Sequence, residues 1–325
     1  MKITLAHGSG GQSTRELIET IFAASYSNPV LDMMEDSAVI PSTERIALTT
    51  DSFVVEPVFF KGGDIGRLAI CGTVNDLLMR GATPKYLTSG FIIEEGADIE
   101  DLKKIALSMA ETAKEAGVII AAGDTKVIEG NGGIYINTAG VGFIEGDVYS
   151  SDQCQEGDAI IVSGTLGDHH ATILSHRMEI ENDIESDVAP LCQMVLALVR
   201  ENINVRALRD ITRGGLGTVL NELADASKLK FEINEADIPV SEQVASLIKL
   251  LGLNLMHMGN EGKLVAVVDN NDAARALEII KASPYGENAA IVGKVSKGSG
   301  VTLNTRLGGK KQVGILFGEG LPRIC

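Results

Sequence analysis

The amino-acid sequence predicts an α+β protein made of two domains of similar size. Three observations predict it. Strand-like and helix-like segments alternate irregularly in both halves, which favours α+β over one doubly wound sheet. A polar, turn-rich stretch, "GDVYSSDQCQEGD", interrupts the apolar pattern near the middle and marks a boundary at residue 148. The 325 residues suffice for two domains, and a composition of 45% hydrophobic and 22% charged residues supplies both cores.

The elements follow in order. "LAHGSGGQSTRELIETIFAASY" reads as a Gly-rich loop entering a helix, with Leu17, Ile18, Ile21 and Phe22 at helical spacing. "RIALTTDSFVVEP" reads as a strand broken at Asp51. "DIGRLAICGTVNDLLMRGA" is a helix and "KYLTSGFII" a strand. In "DIEDLKKIALSMAETAKEAG" the stripe Ile99, Leu102, Ile105, Ala106 and Met109 makes a helix that Gly117 stops. "VIIAAGDTKV" reads as a buried strand ending in a loop, and "GIYINTAGVGFIE" as an alternating strand. The second half opens with strand "AIIVSG" and a loop, "TLGDHHATIL". Helix "VAPLCQMVLALVREN" follows, then the Gly-rich entry "DITRGGLG" into another helix. Strand "KFEIN", helix "SEQVASLIKLLG", strand "GKLVAVVD", helix "DAARALEIIKAS" and strand "AAIVGKV" complete the pattern. From about Gly298 the chain carries short strand-like pieces, and its closing glycines suit a flexible tail.

The net charge of −16 speaks against a nucleic-acid partner, because an acidic surface repels a phosphate backbone. "MKITLAHGSGG" lacks the apolar region of a secretory signal, and no apolar run approaches a membrane span. Cys71, Cys154, Cys192 and Cys325 fit no metal spacing and suit free thiols in the reducing cytoplasm. Cys71 and Cys192 lie on apolar helical stripes and read as packing residues.

Asp36, Asp51, Asp76 and Asp124 each stand where an apolar run meets a loop. Any one of them could be a helix cap or turn residue. Carboxylates gathered near a core repel one another unless a cation lies between them, and Mg²⁺ commonly bridges carboxylates to phosphates. As a set, with Gly72, Gly81 and Gly123 nearby, they favour a nucleotide–metal site. "HGSGG" lacks the GK[ST] ending of a P-loop, though a Gly-rich loop before a helix can still offer N–H groups to phosphate. Asp210 and Arg213 occupy another loop-to-helix junction, and Glu261 precedes a buried strand beside Lys263. His169 and His170 lack a third metal ligand at suitable spacing.

"EDSAV", "TTDSFVV", "GTVNDLLMRGA", "GDTKV" and "DITRGGLG", in that order, resemble an ATP-using superfamily. It includes aminoimidazole ribonucleotide (AIR) synthetase, thiamine-monophosphate kinase and selenophosphate synthetase. With "LAHGSGGQ" at the start and "LPRIC" at the end, the whole chain resembles the HypE family of hydrogenase-maturation carbamoyl dehydratases. The resemblance implies an AIR-synthetase-like N-terminal domain over 1–148, a C-terminal domain over 149–302 and a tail over 303–325. It implies a homodimer in which two N-terminal sheets pair into a barrel with ATP near the interface. Asp36, Asp76 and Asp210 match Mg²⁺ ligands; Asp51, Asn75, Asp124 and Thr125 match nucleotide or metal contacts, and Gly123 an ATP contact. Cys325 matches the cysteine that a carbamoyltransferase, HypF, loads with a carbamoyl group. ATP then drives its dehydration to a thiocyanate, and the cyano group passes to iron held by HypC–HypD. Lys126 and Glu261 match residues at the site the tail reaches, with Glu261 as base, Lys126 as its partner or as oxygen stabiliser, and His7 as a weaker candidate. Selenophosphate synthetases carry Cys or selenocysteine in the Gly-rich region, and "AHGSGGQ" has none. The alternative is a superfamily small-molecule kinase or synthetase whose terminal Cys is incidental.

Overall fold

The computed structural model describes residues 2–4, 7, 16–33 and 40–315. Two large sheets lie on the outside of a double helical layer, and a small third sheet pairs β2 (Phe59–Phe60) with β3 (Gly63–Asp64). The first has the order β1-β6-β4-β5, from β1 (Ile46–Phe53), β4 (Thr83–Glu94), β5 (Ile119–Ile128) and β6 (Ile134–Phe143). Helices Ile65–Met79 and Ile99–Ala116 cover one of its faces. Each begins on an aspartate cap: Asp64 Oδ1 accepts from the Gly66 and Arg67 amides at 2.6 and 3.1 Å, and Asp98 from Glu100 at 3.0 Å. The second helix ends at Gly117, whose φ of +72° closes a left-handed cap.

The second sheet has seven strands in the order β13-β12-β9-β11-β7-β10-β8. They are β7 (Ala159–Val162), β8 (Val205–Asp210), β9 (Lys230–Asn234), β10 (Leu264–Val268), β11 (Ala290–Ser296), β12 (Gly300–Asn304) and β13 (Lys310–Val313). Helices Cys192–Arg200 and Ala273–Ala282 pack on the face turned to the first half, and helix Gly215–Ser227 on the other. One apolar core therefore runs through both halves: Leu68, Ile105 and Met109 share it with Ile161, Leu198, Ala266 and Ile280.

Most predicted elements are present; the short strands β2 and β3 are additional, the expected tail from 303 holds the end of β12 and all of β13, and four further elements differ. Strand β1 runs unbroken through Asp51, because Asp51 pairs with Thr138 of β6 and its carboxylate accepts from the Ser52 amide at 2.8 Å. Strand β5 also continues through "GDTKV", carried by parallel pairing with β4 from Ser89↔Gly123 to Glu94↔Ile128. The predicted loop "TLGDHHATIL" contains helix Asp168–Arg177, which starts after Gly167 at φ +90° and buries His169 and His170. Strand β8 was not predicted.

His170 is 3% exposed, and its Nδ1 accepts from the Gly259 amide at 3.4 Å. Burial, reinforced by His169 and Arg177, pushes its pKa down to about 4 from the ordinary 6.5. Between those values the unfolded chain binds the proton and the folded chain does not. The stability this neutral histidine carries above pH ~6.5 is therefore lost as pH falls towards ~4. Relative to His170→Gln, the wild type should lose about 2 kcal/mol more unfolding free energy between about pH 7 and pH 5. Urea titrations at the two pH values check this; equal losses in both proteins would contradict it.

Candidate functional site

The site forms where helix Ile65–Met79 meets the end of β8 and the loop before β10. Gly72 lets β1 lie close on the helix, since a Cβ there would stand 2.8 Å from the Phe53 ring. This puts Asp51 over the helix, one turn from Asp76. Thr49 donates to Asp76 Oδ2 at 2.8 Å. Asp210 ends β8, opposite Leu264 of β10. A cleft of about 250 Å³ opens between them, lined by Asp76, Asp210, Arg80, Arg209, Tyr149 and Ser151.

These carboxylates act on one another electrostatically. Burial, then Asp210, then Asp51 raise the Asp76 pKa to about 6, against the Thr49 hydrogen bond. At neutral pH Asp76 is therefore still mostly ionised and available to a cation. Burial raises Asp210, with Arg209 opposing and Asp51 adding. Glu261 is 4% exposed, and burial, Asp210, Asp187 and Asp51 push it well above the usual carboxylate range. Its Oε1 is buried without a hydrogen-bond partner. A group of acids that raise one another, with an orphaned oxygen beside them, is a site short of positive charge. Among the described residues no three His, Cys, Asp or Glu side chains converge tightly enough to chelate an ion. Asp76 and Asp210 supply two carboxylates to one cleft, which suits Mg²⁺, an ion that needs one or two protein carboxylates and takes its remaining oxygens from phosphate and water.

The structure brings together Asp51, Asp76, Asp210 and Glu261 from the predicted set. It does not bring Lys126 to Glu261. Lys126 lies on β5, a sheet edge, with its ammonium 2.8 Å from both oxygens of Asp124. This exposed pair lowers the Asp124 pKa, chiefly through the Lys126 hydrogen bond. Asp51 sits on the opposite edge strand, three strand spacings or roughly 14 Å away. The two also face opposite ways: Asp51 turns to the helices, whereas Asp124 and Lys126 stand on the uncovered face with Thr88 and Ile92. Thr125 is buried on the helix side, and Gly123 packs against the Ser89 carbonyl. Asn75, expected as a nucleotide or metal contact, links two segments of the chain. It is 3% exposed, its Nδ2 donates to Ala189 O at 3.0 Å and its Oδ1 accepts from Leu191 N at 2.9 Å. Its amide joins the two halves of the chain. His7 is occupied locally, its Nδ1 accepting from the Thr4 amide at 3.1 Å. Asp36 and Cys325 lie outside the described residues.

Sequence reasoning missed Asp187, whose side chain is 5% exposed and 3.8 Å from the Lys263 ammonium. It lies in an irregular stretch, and only the contact between distant segments gives it meaning.

Comparison with known proteins matches residues 34–144 to the AIR synthase related protein, N-terminal domain, and residues 155–305 to the C-terminal domain of the same family. Carbamoyl dehydratase HypE of Escherichia coli (strain K12) is 44% identical over 334 residues, covering 99% of each chain. A crystal structure of hydrogenase maturation protein HypE in complex with ATP superposes with a TM-score of 0.96 at 42% identity, covering 99% of each chain. The HypE–HypF complex gives 0.82 at 48% identity, over 92% of this chain and 99% of the other. A thiamine-monophosphate kinase from Stenotrophomonas maltophilia, at 20% identity and a TM-score of 0.68, shares the fold.

Proposed function

This chain belongs to the HypE carbamoyl dehydratases of the AIR synthase related family, and on that premise we propose that it dehydrates a carbamoyl group carried on its own Cys325, using ATP and Mg²⁺. The observation that carries the reading is the acid cluster Asp51, Asp76, Asp210 and Glu261, in which Asp76 and Asp210 open on a cleft and the carboxylates raise Asp76 and Glu261 despite nearby arginines. Bound there by Asp76 and Asp210, with Asp36 as a third ligand from sequence, Mg²⁺ would offset negative charge on the ATP phosphates.

The chain's own groups do the rest. The thiolate form of Cys325 is the nucleophile that accepts the carbamoyl group, giving S–CO–NH₂. The carbamoyl oxygen then takes the γ-phosphoryl group, which converts a poor leaving oxygen into phosphate and releases ADP. One N–H proton passes to water as the oxygen is phosphorylated, leaving S–C(OPO₃²⁻)=NH; Glu261 accepts the second as the C–O bond breaks, the freed N–H electron pair completes S–C≡N, and phosphate departs. A carboxylate with a strong attraction for protons, in a dry setting, suits that task once bound positive charge relieves the repulsion around it. We also assign HypF as the loading partner, HypC–HypD as the acceptor of the cyano group, and the cytoplasm as the location. No described helix is long and apolar enough to cross a membrane. We keep the division at 148/149 but move the expected limit at 302, which cuts β12, to follow β13 at Val313, because β12 and β13 pair within the second sheet.

The separation of Lys126 from Glu261 supports a homodimer. The uncovered face of the first sheet exposes Ile46 (54%), Leu48 (72%) and Ile92 (45%), and both its edges are unpaired. A second copy laid on this face, pairing into a barrel, would bring the partner's Asp124 and Lys126 towards the acid cluster. Leu48→Lys costs the isolated chain little, since Leu48 is exposed. It should shift the protein to monomers in light scattering and lower ATP turnover; a dimer of unchanged stability would sink this arrangement.

Cys325→Ala tests the function as a whole. With the carbamoyltransferase and carbamoyl phosphate present, the variant should turn over no ATP above background. Undiminished turnover would favour the small-molecule kinase reading.

A further inference from the structure

Residues 186–191 form a strap without helix or strand between helices Asp168–Arg177 and Cys192–Arg200. One side of the strap is tied to the first half of the chain. Ser186 N donates to Lys61 O at 2.9 Å, Arg67 Nε donates to Val188 O at 3.0 Å, and Asn75 takes Ala189 and Leu191. The other side is tied to Glu261. Glu261 N donates to Asp187 Oδ1 at 3.0 Å, and Ala189 N donates to Glu261 O at 3.5 Å. Lys263 Nζ stands 3.8 Å from the second oxygen of Asp187. The strap has no room to shift: a Cβ at Gly262 would lie 1.8 Å from Asp187 O, and one at Gly62 would lie 2.7 Å from Ser186 O.

Glu261 is thus gripped at both its backbone N–H and its C=O, while its Oε1 has no hydrogen-bond partner. Where a carboxylate is aimed without a partner of its own, its direction depends on what holds its backbone. We propose that Asp187 is a positioning residue for Glu261, and that the buried Lys263 ammonium keeps the Asp187 carboxylate in place to accept the Glu261 N–H. The same strap holds Asn75, the neighbour of Asp76, so one element sets the spacing between the proposed base and the cation site. This inference rests on the reading of Glu261 as proton acceptor.

Four full-length variants test it after carbamoyl loading: Asp187→Ala, Asp187→Asn, Glu261→Gln and the double variant Asp187→Ala/Glu261→Gln. Losing a charge-assisted hydrogen bond should cost Asp187→Ala about 10–100-fold in the dehydration rate, with the KM for ATP within about twofold of wild type. Asp187→Asn keeps the size and an acceptor oxygen but not the charge, so about a threefold to tenfold loss is expected; it decides the matter should the Ala variant fail to fold. In the Glu261→Gln background, Asp187→Ala should cost less than about twofold more, because it acts through Glu261. A wild-type rate in Asp187→Asn and Asp187→Ala with an inactive Glu261→Gln overturns the positioning role alone. A wild-type rate in Glu261→Gln overturns the base assignment and this inference with it. A rise in ATP KM matching the fall in kcat would reduce Asp187 to a structural residue and overturn the proposal.

Discussion

Replacing Asp76 or Asp210 with Asn is expected to lower ATP-dependent turnover by about a thousandfold or more, and to raise the melting temperature. Both effects have one cause. Burial holds both carboxyls above the usual carboxylate range, and like charge adds to it, from Asp210 and Asp51 at Asp76 and from Asp51 at Asp210. An Asn of the same shape removes one of the repelling charges, and its amide oxygen still accepts from Thr49, which stands 2.8 Å from Asp76. Relief of about 1–2 kcal/mol of like-charge repulsion would raise Tm by roughly 2–6 °C in a chain of this size. The same substitution removes a cation ligand, and the activity goes with it. A residue kept only for packing would behave oppositely, losing stability first. Calorimetry beside ATP turnover separates the two; an active variant, or an inactive one that melts lower, would count against the cation site.

Glu261→Gln is the second large effect. Dehydration should fall by about a hundredfold to ten-thousandfold, the usual contribution of a positioned general base. Carbamoyl loading and ATP binding should persist, so the carbamoylated chain should accumulate. Fold stability should hold or rise, because Glu261 is buried among Asp210, Asp187 and Asp51. Continued formation of thiocyanate at the wild-type rate would remove Glu261 from the mechanism.

Local signals in the sequence carried much of this account. The stripe Leu102, Ile105 and Met109, the Asp98 cap and Gly117 specify their helix without help from the rest of the chain. Asp51, Asp76 and Asp210 read as acids beside apolar runs, and the fold gathers them near Glu261, with Asp76 and Asp210 lining one cleft. What was illegible depended on contacts between distant segments. Asp51 looked like a strand breaker until β6 supplied its pairing partner Thr138. "GDTKV" looked like a loop because its exposed residues mark a sheet edge, and β4 is what makes it a strand. "DHHATIL" lacked an apolar stripe, since two of its buried positions are histidines. Val205–Asp210 is short and carries two arginines, so its burial between the helices and β10 left little pattern. Asn75 reads in sequence as part of a nucleotide motif, and only the approach of the 189–191 backbone shows its amide joining the halves. Lys126 and Glu261 matched one site by resemblance, yet one chain places them on different faces, which is why the account needs a second copy.

The most direct test is mass spectrometry of the C-terminal peptide after incubation with carbamoyl phosphate, ATP, Mg²⁺ and the carbamoyltransferase. Cys325 should first gain the mass of one carbamoyl group and then lose the mass of one water, leaving a cyano group, with the second step absent in Glu261→Gln. A Cys325 that stays unmodified while ATP is consumed would contradict the proposed dehydration.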